Sequence, residues 1–479
     1  MGARFFHRNL KRMLHSPCTK DPTYKPKITE DTRFLPRLEG DLTMTYDVTS
    51  AYESNYLALV TISNNNPIGR LDNWNLTWEW ERGEFIYEMK GAQTLEQDLN
   101  ACFNGPAASF YQDPKFDFTQ VMSCQKKPTI VDLPPQLAND TLKGKIEHCC
   151  RNGILLPSVM DSTKSKAAFQ LQVFKLPPDL NRTTVYPPLN WKISGVLNPD
   201  YQCGQPRRVS PTQFPDPYGT SRVTSAIASW QVVCNITTKI GSPHCCVSFS
   251  AYYNESVVPC RTCACGCPSS IKPSCNRDKD ALLLPSNALL IPFENRTLKA
   301  LAWADIQHFP VSPPLPCADY CGVSINWHVY GDYRKGWSAR ITLFNWDNYT
   351  FADWFTAIEL PKAFPGYQDV YSFNGTAVPG LNNTIFMQGK PGLNYLEAET
   401  NGTNPAVDYM VPGKQQSMIS FTKKQTPGIN IVEGEGFPTK VIFNGEECSL
   451  PHAFPIAAGH SVSVSMPTFL VSFMFLFLL

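Results

Sequence analysis

The feature that most constrains the fold of this chain is a dense string of cysteines near its middle. Residues 244–267 read HCCVSFSAYYNESVVPCRTCACGC and hold six of the 17 cysteines in the 479-residue sequence. Such a density is typical of a metal cluster, a redox centre or a set of disulfide crosslinks. Which of the three applies depends on the compartment in which the chain folds.

The spacing of these cysteines favours disulfides over zinc. Structural zinc sites usually combine two C-x2-C pairs. Cys260 and Cys263 form one such pair, but Cys265 and Cys267 are separated by a single residue, and no clean second pair follows. We therefore predict crosslinks, with no metal ion and no cofactor.

Two pairs of adjacent cysteines occur, one at 149–150 and one at 245–246. Adjacent cysteines cannot easily bond each other, so we expect each pair to send links in two directions. Because 17 is odd, at least one thiol lacks an internal partner, and Cys18 is the natural candidate. The cysteines predicted to form disulfides are Cys149, Cys150, Cys245, Cys246, Cys260, Cys263, Cys265, Cys267, Cys275, Cys317, Cys321 and Cys448.

The C-terminal sequence indicates an oxidising compartment. Small residues at Ala457, Ala458 and Gly459 precede a polar spacer and the almost entirely apolar tail 466–479. This arrangement is the signal for a glycosylphosphatidylinositol (GPI) anchor, in which the tail is removed and a lipid is attached. The tail is shorter than the roughly 20 residues of a membrane-spanning helix. We predict GPI attachment at one of these three residues; a tail-anchored helix or a buried C-terminus is the alternative.

The N-terminal sequence does not carry the matching export signal. MGARFFHRNLKRMLHSPCTK is basic but has no apolar run of the length that a secretory signal peptide needs. Because a GPI signal acts only in the secretory lumen, we expect that a truncated or mispredicted start accounts for the missing leader. The predicted localisation is the extracellular side of the plasma membrane and the cell wall.

Glycosylation sequons give an independent indication of secretion. The chain contains ten Asn-X-Ser/Thr triplets, where chance in such a composition would give roughly four or five. The predicted N-glycosylation sites are Asn75, Asn139, Asn181, Asn235, Asn254, Asn295, Asn348, Asn374, Asn382 and Asn401.

Residues 35–240 are predicted to form an antiparallel β-sandwich. The stretch YLALVTISNNN alternates apolar residues on one face and ends in turn-forming asparagines. In WNLTWEW, the spacing of two places Trp74, Trp78 and Trp80 on one side of a strand. Sugar rings stack on such aromatic rows, so these tryptophans are the candidate polysaccharide-binding residues. One alternative is that all three belong to the sandwich core, and another is a mixture in which Trp74 is exposed at an edge and the others are buried.

A second sandwich is predicted after the cysteine string, because alternation returns in SINWHVYGDY and in GWSARITLF. The fold class is therefore mainly β, with two antiparallel β-sandwich domains joined by a disulfide-rich segment. The predicted order is an irregular basic segment 1–34, the first sandwich 35–240, the cysteine-rich segment 241–280, a connector 281–316, the second sandwich 317–450, a polar linker with the attachment region 451–465, and the tail 466–479.

Catalysis has no support in the sequence, and we predict no enzyme and no catalytic residue. No G-x-S-x-G, H-E-x-x-H or phosphate-binding glycine loop is present. Glu79 and Glu81 alternate away from the tryptophan face, and His148 and His328 are isolated, so we interpret both histidines as packed or surface residues. A formal net charge of +1 argues against nucleic acid as a partner.

The block PHCCVSFSAYYNESVVPCRTCACGC resembles the CCVS signature of the plant COBRA-like proteins. The blocks NLTWEW, MKGAQT, HCCRNGIL, SINWHVYGDY and GEGFPTKVIFNGEEC resemble family blocks in the same order. The stretch KPKITEDTRFLPRLEGDLTMTYDV is similar to the subgroup with a long N-terminal extension, which is missing here. The resemblance implies a non-catalytic, GPI-anchored wall protein whose N-terminal part is a cellulose-binding-like module.

We therefore expect a cell-surface glycoprotein that binds cellulose or another wall polysaccharide and acts in cellulose microfibril deposition, oriented cell expansion or tip growth. The lipid would hold the protein at the outer leaflet of the plasma membrane. The alternative is an adhesion or signalling module that binds a protein partner.

Overall fold

The computed structural model describes residues 34–457, apart from 106, 108–109, 112–115, 178, 181–183, 197–199, 216–222, 238–242, 261–274 and 318–319. The described chain forms two β domains with few helices. The prediction of a mainly β fold with two sandwich domains is confirmed.

The first domain consists of two facing sheets and a small ribbon. Its elements are β1 Leu42–Ala51, β2 Asn55–Asn64, β3 Asn75–Glu79, β4 Phe85–Lys90, β5 Ala92–Thr94, α1 Asn100–Phe103, β6 Thr129–Asp132, β7 Lys166–Phe174, β8 Leu189–Ser194, β9 Tyr201–Cys203, β10 Arg207–Val209, β11 Gln213–Pro215, β12 Val223–Ser225 and β13 Ala228–Ile236. One sheet has the order β10-β13-β1-β2-β7-β4, with β9 beside β13. The other sheet has the order β5-β6-β3-β8, and β11 pairs with β12 in the ribbon.

Strict alternation in sequence produces the core of this domain. In β2 every second residue from Tyr56 to Ile62 is buried, and its neighbours are partly exposed. Pairing with β7 places Val60 opposite Phe169, and both face the second sheet. Between the sheets, Trp78 stacks on Phe169 with ring centroids 6.3 Å apart. One face of each strand therefore buries large apolar side chains, which is the arrangement that stabilises a sandwich.

The second domain repeats this two-sheet plan. Its elements are β14 Cys245–Ala251, β15 Asn254–Val258, β16 Leu284–Pro285, α2 Phe293–Ile306, β17 Val323–Asp332, β18 Gly336–Asn345, β19 Phe351–Ala352, β20 Phe355–Glu359, β21 Tyr367–Val370, β22 Phe373–Ala377, β23 Thr384–Gly389, β24 Tyr395–Leu396, β25 Gly413–Thr422, β26 Lys440–Phe443 and β27 Glu446–Glu447. One sheet has the order β16-β15-β14-β17-β18-β25-β21, the other has the order β22-β23-β20-β26-β27, and β19 pairs with β24.

The hairpin β17–β18 supplies much of the second core. Trp327 lies opposite Ile341, and Val329 lies opposite Ala339. All four side chains are buried in one cluster. The alternation expected in SINWHVYGDY and GWSARITLF is thus present, and their apolar faces point the same way because the two strands are neighbours in one sheet.

The cysteine-rich segment differs from its predicted role as a separate joining piece. Cys245–Ala251 is a central strand of the second sandwich, paired in parallel with β17. The following region also differs from a plain connector, because it contains the helix α2, which lies against β16. The described beginning of the cysteine string therefore belongs to the second domain.

The two domains contact each other directly. The guanidinium of Arg70 in the first domain donates to the carbonyl oxygens of Ala352 and Asp353 in the second, at 3.0 Å for Ala352. Lys164 Nζ lies 3.0 Å from Asp353 Oδ2. Beside these contacts, Ile68 and Met160 pack on the outer face of the sheet that contains β20. That sheet is thus covered by the first domain.

Among the described residues, no helix combines the length and apolar character needed to cross a membrane.

Candidate functional site

The structure buries the tryptophan row that the sequence offered as a binding surface. Trp74, Trp78 and Trp80 are each 1% exposed. Their indoles lie between the two sheets of the first domain, where Trp78 contacts Trp80 and Trp191 with centroids 5.5 and 4.8 Å apart. The prediction of an exposed aromatic row is wrong, including an exposed edge at Trp74, because the face with spacing two is the core face of β3.

The opposite face of the same sheet forms an open cleft of about 710 Å³. Thr77 of β3 lies opposite Lys192 of β8, and both side chains point away from the core. Gln202 of β9 and Gln205, which follows this strand, form another wall and are exposed. We call this the first-domain cleft. Its lining is dominated by side chains that donate and accept hydrogen bonds.

The carboxylate of Glu79, at the end of this cleft, is paired with two lysines. Glu79 lies 3.1 Å from Lys126 Nζ and 3.3 Å from Lys127 Nζ. Asn190 Nδ2 donates to the same carboxylate at 3.1 Å. The hydrogen bond from Lys126, followed by those from Asn190 and Lys127, lowers the pKa of Glu79 to about 2. Glu79 is therefore a paired carboxylate, which does not suit it to act as a general acid.

A second cleft, of about 630 Å³, lies on the second domain. Its floor is the outer face of β14, β17 and β18, where Ser250, His328 and Arg340 are register neighbours across the strands. The half-buried indole of Trp303, on α2, stands at one side, and Lys414 of β25 lines the cleft as well. We call this the second-domain cleft. It lies on the sheet that the first domain does not cover.

Hydrogen bonds tie the floor of the second-domain cleft together. Asn326 Nδ2 donates to Ser248 Oγ at 3.0 Å. Ser250 Oγ lies 3.3 Å from Asn326 Oδ1 and 2.9 Å from His328 Nδ1. Burial, and after it the charge of Arg340, lowers the pKa of His328 to about 4. The histidine is therefore neutral at the pH of most extracellular fluids.

Ser250 Oγ and His328 Nδ1 are as close as a catalytic nucleophile and its general base, but the surroundings of the histidine do not support catalysis. In hydrolases of the serine type, a third group orients the histidine and stabilises its positive charge. Here the charged neighbour is Arg340, which disfavours protonation of the ring. A base with a pKa near 4 accepts a proton poorly at neutral pH. This pair is better explained as part of the hydrogen-bonded floor.

Several disulfides are present in the described chain, and two of them were missed from the sequence. Cys102 bonds Cys124, and Cys203 bonds Cys234. Cys203 and Cys234 are direct partners of the antiparallel pair β9–β13. Each of these four cysteines is isolated in sequence, so only contacts between distant parts of the chain could have revealed them. Of the predicted cysteines, Cys245 bonds Cys448, Cys275 bonds Cys317, and Cys321 is also disulfide-bonded.

The adjacent cysteines Cys149 and Cys150 bond each other, so the expectation that they link in two directions is wrong. The local backbone explains this result. His148, Cys150 and Asn152 all have positive φ angles, between 54° and 71°. Asp132 holds the turn by accepting hydrogen bonds from the backbone N–H groups of Arg151 and Gly153 at 2.8 and 2.9 Å.

Cys246 carries a free, buried thiol, so its prediction as a disulfide cysteine is wrong. Alternation explains the difference: Cys245 faces the core and reaches Cys448, whereas Cys246 points to the other side of β14. There the sulfur atoms of Cys246, Cys260 and Cys321 lie within 4.8 Å of one another. Because metal sites need thiolates and Cys321 is disulfide-bonded, this trio does not fit a metal ion.

The remaining predicted sites are distributed over the surface or lie outside the described residues. Asn254 lines the second-domain cleft, and Asn75 lines the first-domain cleft. Among the other described sequons, Asn295 is partly exposed, and the following are exposed: Asn139, Asn235, Asn348, Asn374, Asn382 and Asn401. The predicted residues outside the described chain are Cys18, Asn181, Cys263, Cys265, Cys267, Ala458, Gly459 and the tail 466–479.

Sequence reasoning missed the residues that line both clefts. The signal was the polar half of the alternation: Asn326 and His328 alternate with the apolar core residues of β17, and Arg340 and Thr342 do so in β18. Polar residues on a strand normally indicate only a solvated face. Their convergence becomes visible once the strand order is known.

Comparison with known proteins matches almost the whole described chain. The model of the COBRA N-terminal domain matches residues 56–237, and that of the COBRA family C-terminal domain matches residues 244–455. COBRA-like protein 10 of Arabidopsis thaliana is 59% identical over 95% of this chain and 68% of its own length. COBRA-like protein 7 is 56% identical, over 92% and 67%. Protein COBRA of the same plant is 31% identical, over 86% and 83%.

Proposed function

This chain belongs to the COBRA family, and on that premise we propose that it is a non-catalytic cell-wall glycoprotein that binds neutral β-glucan, such as cellulose. Family membership implies a cell-wall-related protein. Binding would influence cellulose microfibril deposition, oriented cell expansion or tip growth. The first-domain cleft is the observation that carries this proposal.

The composition of the first-domain cleft suits a neutral sugar chain. The exposed amides of Gln202 and Gln205 and the partly exposed hydroxyl of Thr77 can exchange hydrogen bonds with sugar hydroxyls. The carboxylates that line the cleft, Glu79 and Asp200, are matched in number by lysines, so the lining carries no net charge that repels or selects a ligand. A cleft of about 710 Å³ is in the size range of small-ligand sites, and its open form admits part of a long chain.

We further propose that a GPI lipid holds the protein at the outer leaflet of the plasma membrane. The support is the order of small residues, spacer and apolar tail at 457–479. Anchoring would keep both clefts beside the membrane at which glucan chains emerge.

Retention on microcrystalline cellulose tests the glucan proposal. The full chain, produced with an added secretion leader so that it is glycosylated, should sediment with cellulose. The double variant Gln202→Ala/Gln205→Ala should reduce the retained fraction several-fold, because it removes two hydrogen-bonding side chains from the cleft. The control is Gln93→Ala, an exposed glutamine of β5 in the same sheet but outside the cleft. If the unmodified chain is not retained, the proposal is wrong.

Phospholipase treatment tests the anchor. A phosphatidylinositol-specific phospholipase should release the protein from membranes, and the mature protein should lack residues 466–479. Release should be abolished when the small residues 457–459 are replaced with bulky ones. A membrane-bound protein that keeps its C-terminal peptide would contradict the anchor.

A further inference from the structure

The second-domain cleft contains two cationic side chains that have no ion-pair partner among the described residues. Arg340 and Lys414 both line it, and neither side chain forms a salt bridge or a hydrogen bond with another described residue. The Nε–H of Arg340 is buried and lacks an acceptor among the described residues. A buried donor without an acceptor costs about 1–3 kcal/mol, more when it is charged. The guanidinium therefore has unmet hydrogen-bonding capacity at the floor of the cleft.

The charge of this cleft contrasts with that of the first-domain cleft. Glu255, which is exposed, is the single carboxylate among its described lining residues. His328 does not add a positive charge near neutral pH, because its pKa is lowered to about 4. The lining therefore carries a net positive charge, whereas in the first-domain cleft the carboxylate of Glu79 pairs with two lysines.

The uncharged part of the lining suits a carbohydrate. Asn287 and Gln416 line the cleft with exposed amides. Tyr252 is 51% exposed, and the indole of Trp303 is half-buried and fixed by a 3.1 Å hydrogen bond to Ser256 Oγ. Aromatic rings beside hydrogen-bonding side chains are the usual elements of sugar recognition.

The two cations are separated along the floor in a way that suits a chain with repeated charges. Lys414 pairs in register with Phe344, and Arg340 lies four residues before Phe344 in β18. At a rise of about 3.4 Å per residue, the two Cα atoms are roughly 14 Å apart. Cationic side chains that start from points this far apart can contact carboxylates on different sugars of one oligosaccharide.

We propose that the second-domain cleft binds acidic wall polysaccharide, a chain of uronic-acid residues, with Arg340 and Lys414 contacting carboxylates on different sugars. The Arg340 guanidinium can accept a carboxylate in a forked geometry, and Lys414 acts as a point charge. The proposal goes beyond neutral glucan binding and does not depend on it, because the two clefts lie on different domains. One molecule could thereby contact a neutral and an acidic wall polymer.

Calorimetric titration with defined oligosaccharides tests this proposal. The purified, glycosylated full chain should bind a de-esterified oligogalacturonate, and binding should weaken as salt rises. The fully methyl-esterified oligomer should bind at least tenfold more weakly, because its carboxylates are neutral. Poly-L-glutamate provides negative charge without sugar and should also bind at least tenfold more weakly. Equal affinity for poly-L-glutamate would overturn the assignment to a polysaccharide.

Variants locate the site. Arg340→Gln and Lys414→Gln should each lower the affinity for oligogalacturonate about tenfold, and Arg340→Lys should restore only part of the loss. The control is Lys424→Gln, which removes one exposed charge of the same domain outside the cleft. Because the sequon residue Asn254 lines the cleft, the titration is repeated with Asn254→Gln. Binding in either background supports the proposal, and absence of binding in both overturns it.

The outcomes separate this inference from the proposed function. Retention on cellulose without oligogalacturonate binding leaves the glucan proposal standing and rejects the acidic site. Oligogalacturonate binding without retention on cellulose does the reverse. If Arg340→Gln and Lys414→Gln leave the oligogalacturonate affinity unchanged, the second-domain cleft is not the site.

Discussion

At the scale of single residues, neighbours in one strand have different roles because their side chains lie on opposite faces. Trp78 is in the core, whereas Thr77, its neighbour in β3, lines a cleft. Likewise, Cys245 crosslinks through the core while Cys246 keeps its thiol on the other face. Side-chain direction in a strand reverses at each residue. A residue's role here therefore follows from its register.

The first prediction concerns Trp74. Trp74→Ala should destabilise the first domain by about 3–5 kcal/mol, because it opens a cavity in a packed core. Trp74 stacks on Phe169 with centroids 6.2 Å apart. Chemical denaturation measures the loss, and Gln93→Ala is the matched surface control. A Trp74→Ala protein of unchanged stability that no longer binds cellulose would instead restore the exposed-row interpretation.

The second prediction concerns the pH dependence of stability. The pKa of His328 is lowered in the folded protein to about 4, from an ordinary value of 6.5. The unfolded chain therefore binds the proton more readily, so the stabilisation is complete above pH 6.5 and is lost as pH falls toward 4. After allowance for solvent screening, we expect a loss of about 2 kcal/mol.

Denaturant unfolding at pH 7 and at pH 4.5 measures this effect. The His328→Gln variant keeps a hydrogen-bonding side chain without a titratable group, so its stability should fall less over the same interval. Equal losses in the two proteins would show that other groups cause the acid sensitivity.

At the scale of elements, the strand β14 links the cysteine string to the fold. It pairs in parallel with β17, and its first residue bonds Cys448 near the end of the described chain. Ser449 extends this connection, since its N–H donates to Cys245 O at 3.0 Å and its carbonyl accepts from Val247 N at 2.8 Å. The string thus joins distant parts of one domain.

The third prediction tests this crosslink. The double variant Cys245→Ser/Cys448→Ser should lose about 2–5 kcal/mol of stability, because the bond joins residues separated by 203 positions. Cys246→Ser is the control, since it alters a buried thiol without breaking a disulfide, and it should cost clearly less. Thermal unfolding under non-reducing conditions compares the variants. A control as unstable as the double variant would mean that packing of β14, and not the crosslink, is decisive.

At the scale of the whole molecule, direct packing sets the arrangement of the two domains. Arg70 is 4% exposed and pairs with Asp72 at 2.8 Å, while its remaining donors reach the second domain. Lys164 and Asn394 both contact the side chain of Asp353 at the same place. The outer face of the β20 sheet is thereby closed, and the second-domain cleft remains accessible on the opposite sheet.

The fourth prediction tests whether this contact couples the domains. Arg70→Ala removes the cationic donor to two carbonyl oxygens of the second domain and breaks the ion pair with Asp72, so we expect a loss of about 2–4 kcal/mol. Arg70→Lys, which keeps the charge but not the fork, should be intermediate. Calorimetry should resolve two unfolding transitions in Arg70→Ala in place of one. A single transition at an unchanged temperature would contradict the coupling.

Much of the fold follows from the sequence alone, because its physical basis is local. Alternation at spacing two predicted the strands of the first and second cores, including the shared face of Trp74, Trp78 and Trp80. The ordered family blocks predicted the family, which the domain comparisons confirm. These features depend on residues that are neighbours along the chain, so they can be recognised from the sequence.

The tertiary structure decided what depends on contacts between distant residues. Alternation tells which residues share a face, but only the order of strands in the sheets determines whether that face is core or solvent. The same is true of the disulfide partners Cys203 and Cys234, which meet through strand pairing. Arg340 and Lys414 are more than 70 positions apart in sequence, and only the pairing of β18 with β25 brings them into one cleft.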